Sequence, residues 1–406
     1  MPISTSPVTR MHRSGIRTLM ELAMRDPQAI RLEIGEPDAT TPAHVVAAAS
    51  RDAAAGHTAY TSSTGEPELR AALAEKVGRV NGLTVTPDQV VVSHGAMHGL
   101  AMAINALAGP GEQILLPDPE FPNWRMAAVA AGVEVGTYPA RAETGFVPTL
   151  ADIEASITPQ TRIIVVCSPN NPTGAMYPAE LLAGVVELAR RYDLWVFSDE
   201  CYEAITFGAP HVSPATFDTD DRVVTFFSFS KTYAMTGWRI GYAVSRNEQV
   251  IDLLGQVAEA TVACPSSVGQ RAALAAVTGP QDEVAAAVDS YRERRDAAVE
   301  LLTTRGIGCV RPEGAFYLMV DVSAATTDSE AFALRLLDER HVSVSPGSAF
   351  GPGGEGMVRV SLASERSALL AGLDRLADLI VTWSDVTVPD ADLAPGADPD
   401  LASATA

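Results

Sequence analysis

The chain has 406 residues, 47% of them hydrophobic and 19% charged, with a formal net charge of −21. That length can bury a large core and allows two or three domains, and the composition is that of a globular enzyme rather than a disordered or fibrous chain. The acidic balance disfavours a nucleic-acid partner, because phosphate contacts would have to overcome a repulsive mean field, although a local anion site remains compatible with it. The N-terminal stretch lacks a long apolar run and no window approaches 18 uninterrupted apolar residues, so neither a signal peptide nor a membrane span is expected and a cytoplasmic location is the default. Cys167, Cys201, Cys264 and Cys309 are widely spaced without a C-x-x-C pair, which predicts reduced, buried thiols. The seven histidines fall at no ligand spacing, and no metal is expected.

Residues 1–30, with Arg10, Arg13, Arg17 and Arg25 scattered through them, read as an arm or a first helix. Arg31 to Asp38 reads as a short strand stopped by Gly35 and Pro37. A helix is predicted from Pro42 to Gly56 and another after Gly65 and Pro67, with Tyr60 between them. From Thr86 onward, β-branched runs alternate with alanine-rich helical stretches: 89–93 then 97–107, 113–116 then 124–131, 162–167 then 179–192, then 194–198. Arg222 to Phe227 adds a further buried strand. Alternation of this kind predicts an α/β fold with a mainly parallel sheet covered by helices on both faces, and right-handed crossovers place the loops after the strands on one edge. Helices over 247–277 lead to the Gly279-Pro280 boundary and a long charged helix through Tyr291. Short strands at 314–320, 342–345 and 357–363 follow, and from Ser384 a tail of Asp, Ala and Pro without a base is predicted to be disordered.

The loops after the strands carry the chemistry. Gly95, Ala96 and Met97 stand at the start of a helix, where unpaired N–H groups and the helix dipole can hold a phosphate; a plain strand-to-helix turn explains the same letters. Asp199 ends an apolar strand and needs a cationic or hydrogen-bonding partner there, for which a protonated pyridine nitrogen would serve; a cap or an ordinary ion pair is the other explanation. Lys231 follows a core strand, with hydroxyls at Ser228 and Ser230 and a guanidinium at Arg239. That grouping offers an amine to a carbonyl while its neighbours hold an anion, the chemistry of a pyridoxal phosphate site. Arg359, set among Val358 and Val360, faces either outward or toward an anion.

Ser228-Phe-Ser-Lys-Thr-Tyr-Ala-Met-Thr-Gly-Trp-Arg-Ile-Gly-Tyr242 resembles the cofactor-lysine motif of the fold-type I, class I/II aminotransferases of the aspartate aminotransferase superfamily. The similarity runs in order from Leu32 to Ala363. It includes Gly35-Glu-Pro-Asp38, Tyr60 with Gly65 and Leu69-Arg70, Ser168-Pro-Asn-Asn-Pro-Thr-Gly174 and Asp199-Glu-Cys-Tyr202. The resemblance implies a large domain (41–280) with a mixed, mainly parallel seven-stranded sheet. It also implies a smaller α+β domain built from the N-terminal segment (1–40) and the C-terminal part (281–383), with 384–406 as an acidic tail. It implies pyridoxal 5'-phosphate bound by Lys231 as an aldimine, with Asp199 at the ring nitrogen, Phe121 stacked on the ring, and Asn171 and Tyr202 at the ring oxygen. Gly95, Ala96, Met97, Ser228, Ser230 and Arg239 would hold the phosphate, joined by Tyr60 from the partner subunit of a homodimer. Gly35, Asn171 and Arg359 would bind substrate, Arg359 through the α-carboxylate. Asn171-Pro172 is a candidate cis bond. The implied activity is amino transfer between an L-amino acid and a 2-oxo acid. A β- or γ-eliminating lyase on the same scaffold is the alternative, and a cofactor-binding regulator is a remote one.

Overall fold

Residues 6–11 and 14–383 are described in the computed structural model; Arg13 and the tail from 384 lie outside them. The N-terminal segment forms α1 (Gly15–Ala23), which buries Leu19 and Ala23, and a two-residue strand, β1 (Ile30–Arg31). The strand expected over 31–38 is therefore shorter and begins earlier. Beyond Arg31 the backbone serves side chains instead of a ladder, since the Glu33 carbonyl accepts from Arg359 and Ser345 and the Gly35 carbonyl accepts from Lys231. Then come α2 (Ala43–Ala54) and α3 (Pro67–Asn81), the latter with Pro67 in its first turn and left-handed Gly82 closing it at φ 70°.

Seven strands make the main sheet: β2 (Val90–Ser93), β3 (Gln113–Asp118), β4 (Glu134–Pro139), β5 (Thr161–Cys167), β6 (Trp195–Asp199), β7 (Val223–Ser228) and β8 (Gly241–Val244). Their order is β2-β8-β7-β6-β5-β3-β4, parallel except for β8, which runs antiparallel to both neighbours. The period of two sends alternate residues to opposite faces. Ile163, Val165, Phe197 and Phe226 meet Leu100 and Ile104 of α4 (Ala96–Leu107). Ile164, Val166 and Val196 meet Leu182 and Val185 on the other face. The helices on these faces include α5 (Pro122–Ala130), α6 (Leu150–Ala155) and α7 (Ala179–Tyr192).

A single turn, α8 (Phe229–Thr232), leaves β7. It is followed after β8 by α9 (Glu248–Val262), α10 (Ser267–Thr278) and the long α11 (Asp282–Thr304). The C-terminal part holds β9 (Cys309–Val310), β10 (Tyr317–Asp321), α12 (Ser329–Arg340), β11 (Val342–Ser343), β12 (Ser345–Pro346), β13 (Met357–Ser361) and α13 (Arg366–Thr382). An antiparallel sheet of order β12-β13-β10-β9 forms here, and β1 pairs in parallel with β11, tying the N-terminal segment to this part. Leu19 and Leu32 share its core with Phe316, Phe332 and Leu373.

Of the four thiols expected to be buried, Cys167 is, at the end of a central strand, whereas Cys201, Cys264 and Cys309 are half-buried. Among the described residues no helix is long and apolar enough to cross a membrane.

Candidate active site

The ends of β2, β3, β5, β6 and β7 carry the turns singled out from the sequence, as expected for parallel strands whose crossovers return on one side. At the end of β7 the Ser228 hydroxyl accepts from the Ser230 backbone N–H at 3.2 Å and starts α8. That turn delivers Lys231, whose Nζ donates to the Gly35 carbonyl at 2.5 Å and stands 5.9 Å from the centre of the Phe316 ring. A side chain on Gly35 is impossible without movement, since its Cβ would lie 1.8 Å from the Tyr317 hydroxyl.

Arg239 adopts a left-handed backbone (φ 54°), and its Nη1 donates to the Thr236 carbonyl at 2.7 Å and reaches Ser230 Oγ at 3.5 Å. The guanidinium lies so close to the start of α4 that a Cβ on Gly95 would be 2.8 Å from Nη2. A Cβ on Gly241 would likewise be 2.7 Å from the Ala96 nitrogen. Three separate segments are thus drawn together where side chains would not fit. The Gly95 N–H already donates to the Ser93 carbonyl at 2.9 Å, which leaves the N–H groups of Ala96 and Met97, the first helical positions, as the open donors. Burial, followed by the influence of His94, pulls His98 down to about 4, so it adds no positive charge here near neutral pH.

Asp199 is buried at the end of β6, where the Cys201 N–H donates to its Oδ1 at 3.1 Å. Burial raises its pKa, opposed by the thiol and N–H of Cys201 and by the Trp124 indole, which acts on the carboxylate without completing a hydrogen bond. Trp124 is core, edge-on to Phe226 at 6.2 Å, and Phe121 and Met97 line the same cluster. Asn171 precedes the cis bond to Pro172 on a buried turn, and its Oδ1 accepts from Arg359 at 2.9 Å, so its amide NH2 is turned away from that contact. The Tyr202 hydroxyl meets that of Tyr317 at 2.8 Å, and burial raises its pKa well above the ordinary phenol, which keeps it a donor.

Arg359 is not a surface residue: it is 2% exposed. Its planar group lies between Tyr317 (4.2 Å) and Phe350 (4.7 Å) and donates to the Asn171 amide oxygen, the Glu33 carbonyl (2.5 Å) and Ser345 Oγ (3.2 Å). All of these acceptors are neutral. Nε has no partner, and Glu33, the acid nearest in sequence to that carbonyl, is paired with Arg31 instead. Burial lowers the Arg359 pKa, opposed by Tyr317, Tyr202 and Glu33, none of which forms an ion pair with it. A buried guanidinium without an ion-paired carboxylate suits a small anion. Tyr60, by contrast, is 89% exposed and does not take part in its own chain's site.

The profile of the family described as aminotransferase class I and II matches residues 27–376. The chain belongs to this family. The aspartate/prephenate aminotransferase of Thermus thermophilus is 40% identical over 367 residues, covering 89% of this chain and 93% of that protein. The arginine–pyruvate transaminase of Pseudomonas aeruginosa is 36% identical, covering 86% and 89%. Among solved structures, the Thermus thermophilus aspartate aminotransferase with maleate superposes with a TM-score of 0.90 at 37% identity, over 93% of this chain and all of that one. Elimination and regulation were the competing expectations; amino transfer is the activity of these relatives, and the chain is an aminotransferase.

Sequence reasoning passed over Tyr317, Phe316, Ser345 and Phe350, which surround Lys231 and Arg359 in this aminotransferase. They sit in apolar or Gly-rich C-terminal stretches and read as ordinary core. A tyrosine inside the run Phe316 to Val320 was the available signal, because its buried hydroxyl needs a partner.

Proposed function

We propose that this aminotransferase uses pyridoxal 5'-phosphate to exchange an amino group between an L-amino acid and a 2-oxo acid, in a homodimer and in the cytoplasm. The observation that carries the reading is Arg359, a buried guanidinium stacked between two rings and ion-paired to no carboxylate among the described residues, together with the Lys231 amine held on the Gly35 carbonyl. The residues present fit the cofactor. Arg239, Ser228, Ser230 and the open N–H groups of Ala96 and Met97 suit a phosphate, and Gly95 and Gly241 leave the room that a Cβ would fill. Asp199 suits a protonated ring nitrogen, Asn171 and Tyr202 a ring oxygen, and Phe121 the ring face.

When bound, the cofactor supplies a carbonyl to which amines add and a ring that takes up the electron pair released at the α-carbon. Lys231 Nζ would hold that carbonyl, and it would serve as the base and acid that moves a proton at the substrate α-carbon. Arg359 orients the substrate by its α-carboxylate, through two parallel N–H donors. Tyr317 and Phe350 exclude water around it. Asp199 would pair with the ring nitrogen. Tyr60, exposed on its own chain, is assigned to the partner's phosphate site.

The division into 1–40, 41–280 and 281–383 belongs to the same proposal, supported by the β1–β11 pairing and by the separate core around Leu32 and Phe316. The test is the near-ultraviolet and visible spectrum of the protein with pyridoxal phosphate. A yellow band should appear, bleach with particular amino acids, return with an oxo acid and change in Lys231→Ala. No Lys231-dependent band would overturn the cofactor assignment, and release of pyruvate and ammonia would replace transfer by elimination.

A further inference from the structure

The chain has 27 arginines but only two lysines, Lys76 and Lys231. Lysine therefore stands where a compact ammonium is required and a planar guanidinium would not do. Lys231 has its reactive role. Lys76, near the C-terminal end of α3, is buried with 11% of its side chain exposed. It donates to Asn81 Oδ1 at 3.0 Å, pairs with Glu203, and stands 4.7 Å over the Phe227 ring. Asn81 donates to the same Glu203 carboxylate.

Glu203 lies in the turn that carries Asp199 and Tyr202, and so does a second buried acid, Glu200. Glu200 Oε1 accepts from Ser198 at 2.8 Å and from Ser213 at 2.6 Å, and its Oε2 meets His211 Nε2 at 2.8 Å. The side chains of this last pair are 0% and 6% exposed. Burial opposes the charged form of His211, but Glu200 and then Glu203 outweigh it against Lys76, so its pKa is raised on balance. Tyr233 and Tyr242 also feel Glu203, and burial keeps both as neutral phenols. The cluster thus pairs two acids, Glu203 and Glu200, with Lys76 and His211 in one buried volume. Burial raises the pKa of the neighbouring Asp199, and Glu200 adds a lesser push in the same direction.

We propose that Lys76 and His211 are positioning residues for amino transfer: by pairing with Glu203 and Glu200 they hold the 199–203 turn, and with it Asp199 and Tyr202, in place. The inference rests on the reading of Asp199 as the partner of the cofactor ring nitrogen. A purely structural role would not distinguish removal of one charge from removal of both, whereas charge balance does.

The experiment measures the dissociation constant of pyridoxal phosphate from the apoprotein by fluorescence quenching, with far-ultraviolet circular dichroism and melting as folding controls. It compares His211→Gln, Glu200→Gln and the double variant. His211→Gln should weaken binding about tenfold or more, because it leaves Glu200 buried without its partner and lets the turn shift. The double variant should regain most of that loss, and Glu200→Gln alone should bind as the wild type does. Should His211→Gln not fold, Lys76→Met against Lys76→Met/Glu203→Gln makes the same comparison. Wild-type affinity in the single cation variant, or a double variant no better than it, overturns the inference. Asp199→Asn is the separate control: unchanged affinity there overturns the Asp199 assignment and, with it, this proposal.

Discussion

The Arg359 guanidinium lies 4.2 Å from the centre of the Tyr317 ring, whose hydroxyl is in turn 2.8 Å from that of Tyr202. One tyrosine therefore connects the proposed carboxylate site on β13 to the turn beyond β6, and its hydroxyl also closes the space over Gly35.

Arg359→Lys keeps the charge but loses the fork and the stack. We expect kcat/KM to fall about 100-fold to 1000-fold for every amino acid, equivalent to about 3–4 kcal/mol, mostly through KM. The yellow band should remain. Steady-state kinetics over a panel of amino acids checks this, and an unchanged KM would remove Arg359 from carboxylate binding.

Gly35→Ala places a methyl where the Tyr317 hydroxyl now stands. Because the neighbour is a packed ring, the substitution should cost about 1–3 kcal/mol of stability. It should also disturb the Lys231 contact with the Gly35 carbonyl. A denaturant titration reads the first effect and the absorption band the second. Gly35→Ala together with Tyr317→Phe should recover part of the stability, since the clashing oxygen is gone.

Glu120 gives a pH signature. It is buried beside Arg125 at 2.5 Å, its N–H donates to the Phe350 carbonyl, and burial pushes it up to about 7 despite Arg125. Asp118, which accepts from the Gly353 N–H, is raised as well, again by burial. Between about 4.5 and 7 the folded chain keeps a proton that the unfolded chain has released, so this group's contribution is favourable at low pH and is lost as pH rises through 7. Glu120→Gln should leave the melting temperature unchanged near pH 5. At pH 8 it should stabilise the protein by about 1–3 kcal/mol. Calorimetry at the two pH values decides; equal effects at both would show that the carboxyl is ionised throughout.

Tyr60, at 89% exposed, should tolerate Phe within about 0.5 kcal/mol of stability while cofactor binding weakens. Mixing Lys231→Ala subunits with Tyr60→Phe subunits should restore one site per mixed dimer, because the Lys231→Ala partner brings an intact tyrosine. Activity above that of either parent is the expected result, and no gain on mixing would place Tyr60 outside the site.

Much of this molecule is legible in its letters. β5, β6 and β7 are built on apolar runs, and each ends at Cys167, Asp199 or Ser228, where the chemistry begins. β4 is not legible, since Glu134, Gly136 and Pro139 dilute it and it is an edge strand. β8 is hidden inside the lysine motif, four residues long, and its antiparallel direction depends on a connection no local pattern encodes. The same holds within the site. Lys231 and Arg239 stand out from neighbouring residues, but the burial of Arg359 and the company of Tyr317, Phe350 and Ser345 arise only when β10, β12 and β13 meet.

A chain with only two lysines, one sealed under Phe227 and one waiting in the cleft, presents hardly any side-chain amine to the solvent. Aldehydes and keto sugars that condense with ordinary proteins at surface lysines have almost nowhere to attach here. On the proposed assignment, imine chemistry is confined to Lys231, and borohydride treatment of the loaded protein should mark a single arginine-bounded peptide.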